Sequence, residues 1–324
     1  MIETNFPDPD VLQVEGTFYA YATTNAGPGV PNSRNFQAAR STDLIEWEVL
    51  EDAMPELPSW SGLTPLFGID PHEATWAPDV SLIGDRFVMH YTAPALDMER
   101  PDGRPAQCIG VAEADSPEGP FVDTREEPLV CQADLGGSID GAYFRDEDGT
   151  QYLVWKNDGN CCARPTNFFL QELSEDGMEL EGEVTQLEGL EDDNAWEAGV
   201  IEAPTIVVHD ETYYMFYSGN GFATHAYAVG YATAEEVIGP YTDAEENPIL
   251  ATDLETARDL GLAGPGHQTV FEDHDGDLWM AYHAWPSVAI GTADPGRQLW
   301  LDELVFEDGK PVVKGPDRGP QPAP

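Results

Sequence analysis

The stretch FPDPDVLQV, residues 6–14, sets one charged residue, Asp8, at the start of a strand-like run. Four later stretches do the same. Asp79 stands in WAPDVSLI (76–83), Asp140 in SIDGAYF (138–144), Glu202 in IEAPTIVV (201–208) and His267 in GPGHQTVF (264–271). Each is followed by a turn (EGT, GDR, EDGT, HDET, DGD) and then by an aromatic-rich run: FYAYATT, FVMHYTA, YLVWK, YYMFYS and LWMAYHAW. The spacing is 61 to 71 residues, and a period of this kind marks an array of one structural unit.

Two further strands are legible in each unit. The third reads FQAARST, CIGVAEA, NFFLQEL, YAVGYATA and RQLWLDEL; the fourth reads IEWEVLE, GPFVDT, LEGEVTQL, GPYTDA and KPVVKG. Alternation in FYAYATT and YAVGYATA predicts half-buried antiparallel strands. Four strands per unit closed in a ring make an all-β, five-bladed β-propeller. Its blades would span roughly 5–68, 74–135, 138–195, 199–258 and 264–314, and a short helix is expected within 252–262. Residues 1–314 would then be one catalytic domain, because each unit needs its neighbours to bury its faces. The Pro/Gly-rich residues 315–324 would be a tail. A pair of β-sandwiches would show irregular strand spacing and no recurrent anchor.

Composition narrows the partners. Among 324 residues, 61 are acidic and 14 basic, for a formal charge of −47. Only Lys156, Lys310 and Lys314 are lysines. Nucleic acid and anionic membrane surfaces are excluded as partners, since phosphate binding needs clustered cations. Such a charge strains a compact state in dilute buffer and is screened at molar salt, where the Debye length is ~3 Å. An acidic, lysine-poor chain with a folded pattern is expected of a halophile. No apolar run reaches the ~18 residues of a membrane span. No signal peptide precedes Asp8, so a cytoplasmic protein or a secreted one with its signal removed is expected. Oligomeric state is not legible. Cys108 and Cys131 fall in one blade, as a disulfide or two buried thiols. A bond between the adjacent Cys161 and Cys162 would be strained and is not the expected state.

If the ring closes, the anchors meet at its axis; four are carboxylates, and three of these, Asp8, Asp140 and Glu202, stand in strings that suit the cleavage of glycosidic bonds. The strings resemble those of glycoside hydrolase family 43, over essentially the whole chain. PDPD is similar to its general-base motif, SID followed by FRDEDG to the segment holding its second Asp, and IEAP to its general-acid motif. GPGH is similar to the central-His motif of its arabinan-cleaving branch. The resemblance implies that Asp8 is the general base and Glu202 the general acid. Asp140 would hold Glu202 protonated and orient it. It also implies inversion, with a carboxylate separation of about 6.5–9.5 Å.

Asp79 is expected to be a hydrogen-bonding residue of the funnel floor, and Asp10 structural. Trp76 would stack on a sugar ring or pack between blades. His267, at the ring centre, would bind substrate, Asp8 or a hydrated axial cation, Ca²⁺ or Na⁺. DHDGD (273–277) reads as a hairpin turn, not a calcium loop. Arg297 has the donor fork for sugar hydroxyls or for orienting a carboxylate. Asn157, in the NDGN loop, would line the pocket. The expected substrate is an oligo- or polysaccharide with α-L-arabinofuranosyl or β-D-xylosyl linkages, and no cofactor is required. Two alternatives are a retaining fructoside hydrolase, which would carry NDPN-like and EC strings absent here, and a propeller that only binds glycans.

Overall fold

The computed structural model describes residues 2–25, 33–61 and 74–316. Five antiparallel sheets form a ring of five blades. Their innermost strands are Asp10–Val14, Trp76–Ile83, Ser138–Arg145, Ile201–His209 and Leu262–Glu272, neighbours in that order around the axis. Blades 1, 3, 4 and 5 have four strands. In blade 2 the GPFVDT segment narrows to a single bridge between Val122 and Glu113. The end expected for blade 1 and tail residues 317–324 lie outside the described residues. The expected helix contracts to a π-helical turn, Thr256–Leu260.

The second strands explain the aromatic-rich runs. Leu278–Pro286 and the Phe87–Ala95 part of Arg86–Glu99 are buried almost without interruption, and so is the third strand Ala228–Ala234. The half-buried alternation expected of YAVGYATA is therefore replaced by burial on both faces, because each blade is covered by the next, whereas Thr17–Ala22 of FYAYATT alternates over its first four residues. Apolar layers lie between blades. Tyr21, Phe36, Met89 and Tyr91 fill the gap between blades 1 and 2; Phe168, Leu170, Met215 and Tyr217 fill that between blades 3 and 4. Phe18 meets Phe271 edge-on at 6.0 Å between blades 1 and 5, a contact worth about 0.5–1.5 kcal/mol beyond its burial. Charge collects on outer strands such as Leu180–Gln186, which is largely exposed.

The ring is fastened by the N-terminal segment. Phe6 N–H donates to Arg297 O at 2.7 Å, Arg297 N–H to Asn5 Oδ1 at 3.1 Å and Leu299 N–H to Ile2 O at 3.3 Å. This seam brings the first anchor beside the last blade.

Cys108 is bonded to Cys131. Cys161 is bonded to Cys162, against expectation. The pair ends a tight turn, Gly159–Cys162, closed by Ala163 in the left-handed region (φ 54°), which is what holds two adjacent cysteines on one side of the loop.

Candidate active site

One residue of each blade adopts a left-handed backbone at the mouth of its inner strand: Asp8, Ala77, Asp140, Ala203 and His267, with φ between 44° and 54°. A side chain in this region costs about 1–3 kcal/mol, so the surroundings must hold it there. They do so with a recurring hydrogen bond. The N–H of Ala77 donates to Thr23 Oγ1 at 2.9 Å, that of Asp140 to Thr92 Oγ1 at 3.3 Å and that of His267 to Ser218 Oγ at 2.8 Å. The N–H of Asp8 donates to His283 Nδ1 at 3.2 Å, closing the circle. Each acceptor lies on, or one residue past, the second strand of the preceding blade.

Five seats thus surround the axis, spaced 69, 63, 63 and 64 residues apart. Asp8, Asp140 and His267 occupy seats, as the anchors were expected to. Asp79 and Glu202 do not. Asp79 lies two residues past its seat, Ala77, level with Asp10; Glu202 lies one residue before Ala203. A bulge in each inner strand, between Trp76 and Asp79 and between Glu202 and Thr205, sets the seat by backbone geometry and not by charge. A small axial cavity of about 30 Å³ is lined by the seats and the two residues following each.

Asp8 is 6% exposed and ringed by cations and donors. Arg297 Nη1 is 2.5 Å from Oδ1, His267 Nδ1 3.3 Å from it, and Thr23 Oγ1 donates to Oδ2 at 2.6 Å. Burial alone would raise the acid, but Arg297 and His267 outweigh it and hold Asp8 well below the usual carboxylate range. Burial and the nearby Arg297 push His283 down to about 3. His283 is therefore neutral, with Nδ1 the acceptor of the Asp8 N–H and the proton on Nε2. Arg297 is held in turn by Phe222, whose ring lies 4.8 Å from the guanidinium carbon, and by Trp285 at 6.0 Å.

Asp140 is equally buried but titrates the other way. Burial raises it, and the Glu202 carboxylate raises it further, against His267, Lys156 and the Ala203 N–H. Its Oδ2 accepts that N–H at 3.1 Å, one residue from Glu202. Glu202 Oε1 accepts from Tyr227 Oη at 2.5 Å, and Lys156 Nζ lies 3.5 Å from Oε2. Tyr227 packs so closely over Gly266 that a β-carbon there would come within 2.3 Å of its ring, which explains the glycine before His267.

Two buried carboxylates at one funnel are thus shifted in opposite directions, and Glu202 stands beside the raised one. The sequence profile of glycosyl hydrolases family 43 matches residues 1–311.

The chain belongs to glycosyl hydrolase family 43.

It is a glycosidase, and curated relatives span several sugars. It is 25% identical to a β-D-galactofuranosidase of Aspergillus niger, over 95% of this chain and 82% of the relative. It is 23% identical to the extracellular endo-α-(1→5)-L-arabinanase 2 of Bacillus subtilis, over 96% and 70%. It is 26% identical to a xylan 1,3-β-xylosidase of a Vibrio species, over 95% of this chain but only 55% of the relative's length. Among solved structures, a thermostable family-43 glycoside hydrolase matches with TM-score 0.78 and 31% identity, covering 99% of this chain and 96% of that one. A structure described as an endo-1,4-β-xylanase from Bacteroides thetaiotaomicron matches at 0.75 and 27%, covering 98% and 97%.

Of the other residues expected in this family-43 site, Arg297 takes the carboxylate-orienting place on Asp8. Trp76 is half-buried immediately before the Ala77 seat. Asp10 and Asp79 face the axial cavity; burial pushes Asp10 up to about 7, and burial plus repulsion from Asp10 raises Asp79. Asn157 does not line the cavity. It is 1% exposed, donates to Leu135 O and Pro165 O, and accepts from Asn167 N–H, so it braces its loop instead. DHDGD is a turn: Asp273 Oδ1 accepts the N–H groups of Asp275 and Asp277.

Sequence reading missed Thr23, Lys156, Tyr227 and His283. Three of them, with Thr92 and Ser218, lie in the second-strand runs already quoted. Paired-strand register aligns Thr92, Lys156, Ser218 and His283 opposite Trp76, Ile139, Glu202 and Gly266.

Proposed function

We propose that this enzyme hydrolyses α-L-arabinofuranosyl or β-D-xylosyl linkages with inversion, using Asp8 as base, Glu202 as acid and Asp140 as the acid's partner. The observation that carries this reading is the opposite electrostatic setting of Asp8 and Asp140 at one funnel. Asp8, ionised, takes a proton from water as the water oxygen bonds to the anomeric carbon. Glu202 gives its proton to the glycosidic oxygen as the bond to that carbon breaks. The cations around Asp8 weaken it as a base, which is tolerable when the water attacks an oxocarbenium-like centre. Asp140, which accepts the Ala203 N–H one residue from Glu202, orients the acid.

The spread of relatives across galactofuranose, arabinan and xylan supports a furanoside or pentoside substrate without separating the sugars. Trp76, His267 and Arg297 are the residues proposed to meet it. Among the described residues, no three His, Cys, Asp or Glu side chains are gathered for direct metal ligation. A Ca²⁺ or Na⁺ on the axis would be held by His267 through water, and Asp8, Asp140 and Glu202 carry the proton transfers.

The test is a panel of aryl α-L-arabinofuranosides, β-D-xylosides and β-D-galactofuranosides in molar KCl, with the product anomer followed by NMR. Turnover with an inverted first product is expected. A retained anomer would place the chemistry in the retaining class, and binding without turnover would leave a glycan-binding propeller.

A further inference from the structure

In four blades a residue on the second strand, or one just past it, accepts the N–H of the next seat. Blade 3 departs from this rule. Its residue at that register is Lys156, opposite Ile139. A lysine has three donors and no acceptor, so it cannot cap the Ala203 N–H. Asp140 Oδ2 reaches across and caps it instead. The substitution leaves a fully buried ammonium free to turn elsewhere. Lys156 Nζ lies 3.5 Å from Glu202 Oε2 and 3.0 Å from Asn160 Oδ1, with its side chain 0% exposed. A buried lysine is rare unless paired.

The charged groups around it are few. Glu202 and Asp140 face it from the inner strands of blades 4 and 3. Asp158 follows it by two residues; burial raises that acid to about 6, against Lys156 and Arg100, whose Nη1 lies 3.6 Å from Asp158. Tyr227 donates to the other oxygen of Glu202, and His267 faces Asp140. Three buried carboxylates thus share one buried ammonium. Once the proton moves, negative charge grows on Glu202, and Oε2 is the oxygen that faces Lys156.

We propose that Lys156 is a positioning residue that stabilises the carboxylate forming on Glu202 as its proton passes to the leaving oxygen. This rests on Glu202 being the acid. An acid flanked only by carboxylates would hold its proton too tightly to give it to an alkoxide; the ammonium restores its strength in the transition state.

The experiment compares Lys156→Met with wild type on a dinitrophenyl pentoside, which departs without a proton, and an alkyl pentoside, which needs one. On the alkyl substrate kcat/KM should fall by about 10²-fold. On the dinitrophenyl substrate it should stay within about threefold, which also shows the variant folded and its base side intact. The basic limb of the alkyl pH profile should move up by about 1–3 pH units, because removing a cation within ~4–6 Å favours the protonated acid. Equal losses on both substrates with an unmoved limb would overturn the proposal. Asn160→Asp, at an exposed position, covers the case in which Lys156→Met does not fold. It offers the ammonium a competing carboxylate, and the same limb should rise by less; an unmoved limb overturns the proposal there too. Glu202→Gln, run alongside, separates the two ideas. Full alkyl turnover in that variant removes the acid assignment itself, whereas its loss with no limb shift in the Lys156 variants removes the lysine alone.

Discussion

Asp8 and Asp140 occupy equivalent seats. Both have φ of 54°, both are 6% exposed, and both have their N–H capped by the blade before. Their charges are nevertheless driven apart. Asp8 is held ionised by Arg297 and His267, whereas Asp140 is raised by burial and by Glu202. The repeated part of the fold places a carboxylate on the axis. The unrepeated neighbours, one arginine at the ring seam and one pair of acids across blades 3 and 4, decide what that carboxylate does. Backbone equivalence sets position, and the local field sets chemistry.

The comparison breaks most visibly in kinetics. Asp8→Asn and Glu202→Gln should each lower kcat by about 10²–10⁴-fold on an alkyl pentoside, since base and acid act in the same displacement. Near wild-type turnover in either variant, measured under saturating substrate, would undo the assignment of roles to the two poles.

Stability should separate the poles by sign. Asp8 has a depressed titration, so its contribution is present above the ordinary Asp value of ~3.9 and is lost as pH falls through its lowered folded value. Asp140 is raised, so its contribution is fully present below ~3.9 and is lost as pH rises toward its folded value. At neutral pH, Asp8→Asn leaves Arg297 unpaired in a site where its side chain is 15% exposed, and should cost about 3–5 kcal/mol. Asp140→Asn keeps an oxygen for the Ala203 N–H and removes a buried charge, and should be stabilising. Denaturant titration of the two variants at neutral pH measures this, and shifts of the same sign would mean that the two seats do not differ in the way the geometry implies.

Salt gives the smallest and most diffuse effect. With a charge of −47 the thermal midpoint should rise from ~0.1 M to molar KCl, because screening weakens like-charge repulsion at the surface. The buried poles are screened far less, so the two limbs of the pH–rate profile should stay nearly fixed over the same range. A midpoint that is flat or falls would remove the halophilic reading. Limbs that move with the midpoint would show that both poles are open to solvent.

The sequence made the ring legible because five turn-and-aromatic units recur at blade spacing. It made Asp8, Asp140, Glu202 and His267 legible because each lies at the mouth of an inner strand. The register was less plain. Aligning units by their first charged residue equated Asp79 with Asp8, although the seat is a backbone feature that alanine fills at positions 77 and 203. The dipeptides Asp8-Pro9, Ala77-Pro78 and Ala203-Pro204 carried that register. Double-sided burial of YAVGYATA was missed because alternation was read as one dry face and one wet one. Asn157 was misplaced because a polar loop next to the site does not reveal which amides the backbone claims. Lys156 was hidden by its setting: a lone lysine ending an apolar strand looks like a strand end until four counterparts are seen accepting hydrogen bonds.

The ring seam has a further consequence. The two chain segments that fasten the propeller meet at Arg297, whose backbone holds Phe6 and Asn5 and whose side chain holds Asp8. Fastener and proposed base share one residue, so slippage of the N-terminal segment by a single hydrogen-bond register would pull the guanidinium from the carboxylate while every blade kept its sheet. In mechanical terms the proposed catalytic centre sits on the latch, and a propeller built this way would lose its chemistry before it lost its shape.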